Sequence, residues 1–375
     1  MARIYLDYNA STPIDSAVTA AMRPFLESHF GNPSSGHWAA SGARTAMEEA
    51  RSQVAALLGA ENCEIIFTSG GSEANNLALK GVAWALKHKG NHIITSAVEH
   101  PAIIGPCRFL EQQGFAVTIV PVDQVGRIDP DDVARAITPR TILISIMHAN
   151  NEVGTIQPIA EISRVARAHG VLLHTDAAQS VGKIATDVNT LGVDLLTIAG
   201  HKVYAPKGVG ALYVRADTPL EPLIHGAGHE GGRRAGTESA LLAVGLGTAC
   251  TLARDLAPMQ QVRALRDRFW EKLQEVFGSR IVVNGHPENR LPNTLNVSFV
   301  GQIGAELLAR LDGVAASTGS ACHTGHVELS PVLRAMRVAP EVGMGAIRFS
   351  LGRGTTREEI DTVTDELAGV LAAAA

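Results

Sequence analysis

The chain of 375 residues carries a formal net charge of −5, with 46% apolar and 18% charged residues. At roughly 100–200 residues per domain this predicts about two domains with ample cores, and it excludes a disordered chain. No dense Lys/Arg stripe offers counterion release on a phosphate backbone and no apolar run reaches the roughly 18 residues of a membrane span, so direct nucleic-acid binding and membrane insertion are not expected.

The N-terminal Ile4-Tyr5-Leu6-Asp7 carries a carboxylate and lacks a signal core, so secretion is not expected. From about residue 60 to 215, short β-branched runs alternate with helical stretches: Glu64 to Thr68, His92 to Thr95, Val117 to Val120, Ile142 to Ile146, Val171 to His174 and Leu195 to Ile198. Helix-like segments such as Glu73 to Lys87 and Ile159 to His169 lie between them, and this βαβα rhythm predicts an α/β fold with a mostly parallel sheet covered on both faces. In such sheets ligands bind at the strands' carboxyl ends. A helical stretch from Glu238 closes at Ala257-Pro258, which divides a large domain, residues 12–257, from a small one, residues 258–375. The small domain has strands at Thr294 to Val300 and Ala346 to Ser350 and a closing helix from Thr356, and the first residues, 1–11, are expected to complete it. Cys63, Cys107, Cys250 and Cys322 are scattered without a C-x-x-C pair, which fits a reducing cytoplasm and neither a disulfide framework nor a cysteine zinc site.

Three strand ends carry chemistry. Thr68-Ser69-Gly70-Gly71-Ser72-Glu73 follows a strand and opens a helix, so free N–H groups and hydroxyls make an anion cradle there; an ordinary capped glycine turn is the alternative. Val171 to Thr175 delivers Asp176, suited to a metal, a helix cap or a cationic ring nitrogen. Thr197-Ile198-Ala199-Gly200-His201-Lys202 delivers an amine. A lysine, an acid and a phosphate cradle on adjacent strand ends fit one cofactor, pyridoxal phosphate. His100, just past a strand, suits stacking on a flat ring, proton transfer or a structural cap. Cys322 lies among small turn-forming residues, Ser317-Thr318-Gly319-Ser320-Ala321 before it and His323-Thr324-Gly325-His326 after it, which favours a mobile nucleophile; no further Cys/His cluster supplies the ligands of a metal site.

Jointly these motifs resemble the cysteine desulfurases of the class V aminotransferase family, the nitrogenase-type and iron–sulfur-cluster-type enzymes. The resemblance runs through Tyr5-Leu6-Asp7-Tyr8-Asn9-Ala10, Gly31-Asn32-Pro33, Asn150-Asn151-Glu152-Val153-Gly154, Arg234-Ala235-Gly236-Thr237 and Arg348-Phe349-Ser350, besides the segments above. It implies a fold type I pyridoxal-phosphate-dependent transferase, with helices on both faces of the central sheet and a smaller α+β domain. It further implies Lys202 as the Schiff-base lysine, Asp176 on the pyridinium nitrogen, His100 over the ring and Gln179 on the phenolate oxygen. Gly71, Ser72 and His201 would bind the phosphate, joined by Thr237 from the neighbouring subunit of a homodimer, while Arg348, helped by Asn151 and Asn9, would hold the carboxylate of L-cysteine. Cys322 would accept the sulfur as a persulfide, release L-alanine and pass the sulfur to an acceptor protein.

Three features depart from the family pattern. Ala199 stands where a phosphate-binding serine is usual, and the chain ends at Leu371 to Ala375 without the tail that docks an iron–sulfur scaffold. His323 beside the cysteine, with Ser330-Pro331-Val332-Leu333, also resembles selenocysteine lyases. The remaining alternative is a pyridoxal-phosphate-dependent carbon–sulfur lyase or aminotransferase that leaves Cys322 idle.

Overall fold

The computed structural model describes residues 3–319, 322–323 and 326–372. Its main sheet has the strand order Ile65–Thr68, Gly210–Val214, Leu195–Ala199, Leu172–Asp176, Thr141–Ser145, His92–Ser96, Ala116–Val120. Neighbours from Leu195–Ala199 to Ala116–Val120 are parallel, while Gly210–Val214 runs antiparallel to both strands beside it.

Successive side chains of a strand point to opposite faces. Ile94, Ile144 and Leu196 therefore enter one core, beneath the helices Trp38–Leu58 and Ala240–Ala253, and Ile93, Leu143 and Leu195 enter the other, beneath Gly71–Ala85 and Pro101–Gln112. With both faces covered, the inner strands read as continuous apolar runs. The edge strand Ala116–Val120 is covered less, leaving Ile119 56% exposed.

Gly210–Val214 is a strand that the βαβα reading does not contain. It follows Leu195–Ala199 through a turn rather than a crossover helix, so it has to run antiparallel. A Cβ on Gly210 would lie 2.5 Å from the Ile198 carbonyl oxygen and 2.8 Å from the Gly70 Cα. Only glycine lets the turn at Gly70 sit against this strand, which places the start of the Gly71–Ala85 helix beside Ala199.

A second, three-stranded antiparallel sheet has the order Ala346–Ser350, Thr294–Phe299, Ile281–Asn284 and packs under the helices Ala257–Phe277 and Arg357–Ala372. The latter starts with reciprocal capping, Thr356 N to a Glu359 carboxylate oxygen at 2.8 Å and Glu359 N to Thr356 Oγ1 at 3.2 Å. The strand Ile4–Tyr5 runs parallel to Val314–Ala315, and Ile4 and Leu6 fill this second core. Beyond Asp7, which bridges to Ser350, the chain crosses to the main sheet, where Thr12 N donates to the His201 carbonyl at 2.9 Å.

In the second core the fully buried Phe269 meets Phe349 edge-on, with ring centroids 5.1 Å apart. Phe269→Ala is expected to destabilise the protein by about 3–5 kcal/mol, read from the chemical unfolding transition. A loss below about 1 kcal/mol would show that the core collapses onto the vacated space.

Candidate active site

A cavity of about 310 Å³ opens at the carboxyl ends of the parallel strands. On one side the Gly71–Ala85 helix begins at Gly70, which has φ 148° and supplies no side-chain cap. The N–H groups of this first turn have no partner within the helix, and Gly71 and Ser72 form the cavity wall there. Ala199 lines the same corner and offers no hydroxyl to it.

Asp176 ends the strand Leu172–Asp176 on the cavity floor. Its Oδ2 accepts from Asn75 Nδ2 at 2.7 Å and its Oδ1 from the Ala178 N–H at 2.9 Å, so the carboxylate is held from two directions. Asn75 is a site residue that the sequence reading does not contain. It lies one turn into the helix that carries the anion cradle, and its buried Oδ1 has no partner among the described residues.

Lys202 projects from the short turn after Leu195–Ala199, and its Nζ donates to the Asn9 carbonyl. Burial and the neighbouring Arg348 pull its amine down to about 8, against the opposing influence of Asp176 and Asp7. His201 also lines the cavity, its ring pushed down to about 4 by burial and then by Lys202 and Lys207. His100 both caps the Pro101–Gln112 helix and lines the cavity: its Nδ1 accepts the Ala102 N–H at 3.1 Å, so in the neutral ring Nε2 carries the proton. Burial lowers its pKa, Asp176 opposes and Lys202 adds to the lowering.

Gln179 and Asn151 line the cavity as well. Gln179 Nε2 donates to the Asn9 carbonyl at 3.0 Å and its Oε1 accepts from Lys183 Nζ at 2.9 Å. Lys183, four residues on, is buried, and burial drives its pKa well below that of an ordinary lysine, with Lys202 and Arg348 adding to the effect. Asn9 is wholly buried and does not line the cavity. Its Oδ1 accepts from Lys183 and Asn293, and its Nδ2 donates to the Asn151 carbonyl and Thr294 Oγ1, so its side chain already spends its hydrogen bonds inside the protein.

Arg348 arrives from the second sheet and stops beside the cavity rather than in its wall. Its Nη1 donates to the Asn151 carbonyl at 3.1 Å and its Nη2 to Asp7 at 2.6 Å. Thr237 is exposed and lies on a separate hollow of about 190 Å³ with Ser69 and Arg234. The backbone of Cys322 and His323 pairs with His326–Val327; the side chains of these residues lie outside the described ones.

Glu99, beside His100, is a further buried carboxyl without a signal in the sequence beyond its neighbour. It accepts from Ser96 Oγ at 2.6 Å and the Met147 N–H at 2.9 Å, yet burial pushes it up to about 8. Among the described residues no cluster of His, Cys, Asp and Glu is placed to hold a metal ion. A larger hollow, about 690 Å³, surrounds the bidentate Arg51–Glu230 pair and gathers no comparable set of amine, acid and open helix end.

The family model for aminotransferase class-V matches residues 4–363. The chain is 50% identical over 372 residues to a protein of Dictyoglomus turgidum named cysteine desulfurase IscS, covering 98% of this chain and 94% of that one. A solved structure described as a NifS-like protein superposes with a TM-score of 0.93 at 37% identity, covering 99% of each chain. Another, described as SspA in complex with cysteine, gives 0.84 at 40% identity over 94% of this chain and 100% of the other.

Proposed function

The chain belongs to the aminotransferase class-V family and is a cysteine desulfurase, and we propose that it works with pyridoxal 5′-phosphate in the cavity, passes sulfur through Cys322 and acts as a homodimer. The observation that carries this reading is the convergence of Lys202, Asp176, His100 and the open start of the Gly71–Ala85 helix on one cavity.

The donor set fits the cofactor. Gly71, Ser72 and His201 would hold its phosphate, Asp176 its ring nitrogen and His100 its ring face. Gln179 Nε2 spends one N–H on Asn9 and retains the other for the phenolate oxygen. Asn75, whose Nδ2 donates to Asp176 Oδ2 at 2.7 Å, would keep that carboxylate aimed at the ring nitrogen. Thr237 is exposed and lies outside the cavity lining of its own chain, as a residue serving the phosphate of a second copy would.

When bound, pyridoxal phosphate supplies an electron sink for the charge left at the substrate's α-carbon. Lys202, with its lowered pKa, is suited to remove and return a proton there. Arg348 offers a planar fork for the substrate carboxylate beside the Asn151 carbonyl. The Cys322 thiolate forms an S–S bond with the substrate sulfur as the substrate's Cβ–S bond breaks, and the carbon skeleton takes up protons and leaves as L-alanine. The persulfide then goes to an acceptor protein, in iron–sulfur cluster assembly or another thiolation pathway. A reducing cytoplasm suits this chemistry, and Cys63, Cys107 and Cys250 are unbridged.

Peptide mass analysis after anaerobic, reductant-free incubation of the cofactor-loaded protein with L-cysteine tests the reading. The expected result is one added sulfur on the Cys322 peptide with L-alanine released. An unmodified Cys322 together with turnover would transfer the reaction to a route that bypasses the thiol.

A further inference from the structure

Arg348 does not stand alone beside the cavity. Its Nη2 donates to Asp7 Oδ1 at 2.6 Å, and the other oxygen of Asp7 accepts from Ser317 Oγ at 2.9 Å. Ser317 is bound to Arg348 through the backbone as well, Ser317 N to the Arg348 carbonyl at 3.2 Å and Arg348 N to the Ser317 carbonyl at 2.6 Å. The carboxylate of Asp7 thus joins the arginine to the residue from which the chain runs toward Cys322.

A second carboxylate acts on the same segment from Glu152, the neighbour of Asn151. Its Oε2 accepts from Ser330 Oγ, and Ser330 is buried and fixed in turn by accepting the Val332 N–H at 3.1 Å. The Gly319 backbone lies against the same oxygen, so close that a Cβ at 319 would overlap it. Residues 317 and 319 precede Cys322 in the chain and Ser330 follows it. Both ends of the segment therefore meet a carboxylate at the corner where Arg348 sits.

We propose that Asp7 and Glu152 are positioning residues that fasten the two ends of the Cys322 segment to the carboxylate-binding corner, so that the thiol is presented to a substrate held by Arg348. The proposal rests on the assignment of Cys322 as the sulfur acceptor. The physical reason is proximity. A thiol on a segment anchored at both ends samples far fewer positions than one anchored at a single end, and small misplacements of a reacting atom are costly in rate. The acidic partners suit the task because one carboxylate accepts several donors at once, as Asp7 does from Arg348 and Ser317.

The test uses the cofactor-loaded enzyme and the variants Glu152→Ala, Gly319→Ala and their double mutant, with kcat and KM for L-cysteine and the rate of Cys322 alkylation by iodoacetamide as readouts. Exposed Cys63 serves as the internal reference for alkylation. Glu152→Ala is expected to lower kcat about 10–100-fold with KM within about twofold, and to change Cys322 alkylation relative to Cys63. Gly319→Ala should reproduce this, because its methyl group displaces the carboxylate, and the double mutant should be no worse than Glu152→Ala alone, as expected for two changes to one contact. Glu152→Gln, which keeps an acceptor for Ser330, should retain most of the activity. Asp7→Asn should move KM and kcat together, since Asp7 touches Arg348 directly.

The proposal is overturned by single variants that fold, judged by thermal unfolding, yet keep kcat and Cys322 alkylation at wild-type values, or by effects that multiply in the double mutant. Should the wild-type enzyme desulfurate L-cysteine with Cys322 already blocked, the Cys322 assignment fails instead, and that arm is read before any variant.

Discussion

Cys322→Ala is expected to lower sulfur transfer from L-cysteine by roughly 10³-fold or more, as for removal of a nucleophile from a cooperating set. The absorbance of the bound cofactor should stay as in the wild type. The groups assigned to the cofactor, Lys202, Asp176, His100 and the Gly71 turn, are built on strand ends of the main sheet, whereas Cys322 follows the Val314–Ala315 strand, which pairs with Ile4–Tyr5 outside that sheet. Cofactor retention and sulfur transfer are therefore separable by mutation. Wild-type rates of sulfide release from the variant would sink the role of the thiol and leave a carbon–sulfur lyase as the reading.

Lys202→Ala carries the second large effect: a fall in desulfuration of about 10²–10⁴-fold, the range for loss of a positioned acid–base group. The amine also makes a pH prediction for the native protein stripped of cofactor. A protonated lysine has no lone pair for a carbonyl carbon, and burial beside Arg348 brings Lys202 down to about 8. Capture of pyridoxal phosphate, followed by absorbance, should therefore slow about tenfold for each pH unit below that value and level off above it. A capture rate independent of pH across this range would contradict the assigned environment of the amine. Arg348→Ala, by removing one of the two causes of the lowering, should shift the midpoint upward.

Much of the candidate site is readable because its residues sit at the ends of strands whose apolar runs announce themselves. Asp176 follows such a run, Lys202 lies three residues past another, and the Gly70-Gly71 turn follows a third. Parallel strands carry their carboxyl ends to one edge, so three separate stretches of sequence point to one place. Asn75 and Lys183 were not readable in this way. Each looks like an ordinary polar residue in its own segment, and each acquires its role only from a partner elsewhere: Asn75 from Asp176, 101 residues away, and Lys183 from Asn9, 174 residues away. Asn9 itself changes character, from a candidate ligand for substrate to a buried centre that ties Gln179, Lys183, Asn151 and Thr294 together.

The α/β layering, the strand ends that carry the lysine, the acid and the anion cradle, and the family resemblance of the whole chain are written in local stretches of residues. These follow from local periodicity and from glycine, capping and charged residues at fixed positions, which act over a few residues. Only the folded chain settles that Gly210–Val214 enters the sheet antiparallel, that Lys202 feels both Arg348 and Asp176, and that Asp7 pairs with Arg348 across 341 residues of chain. Such contacts depend on which buried faces meet when the second sheet docks against the first. The energies that shift a pKa or orient a guanidinium fall off within a few ångströms, so only the folded arrangement of distant segments sets them.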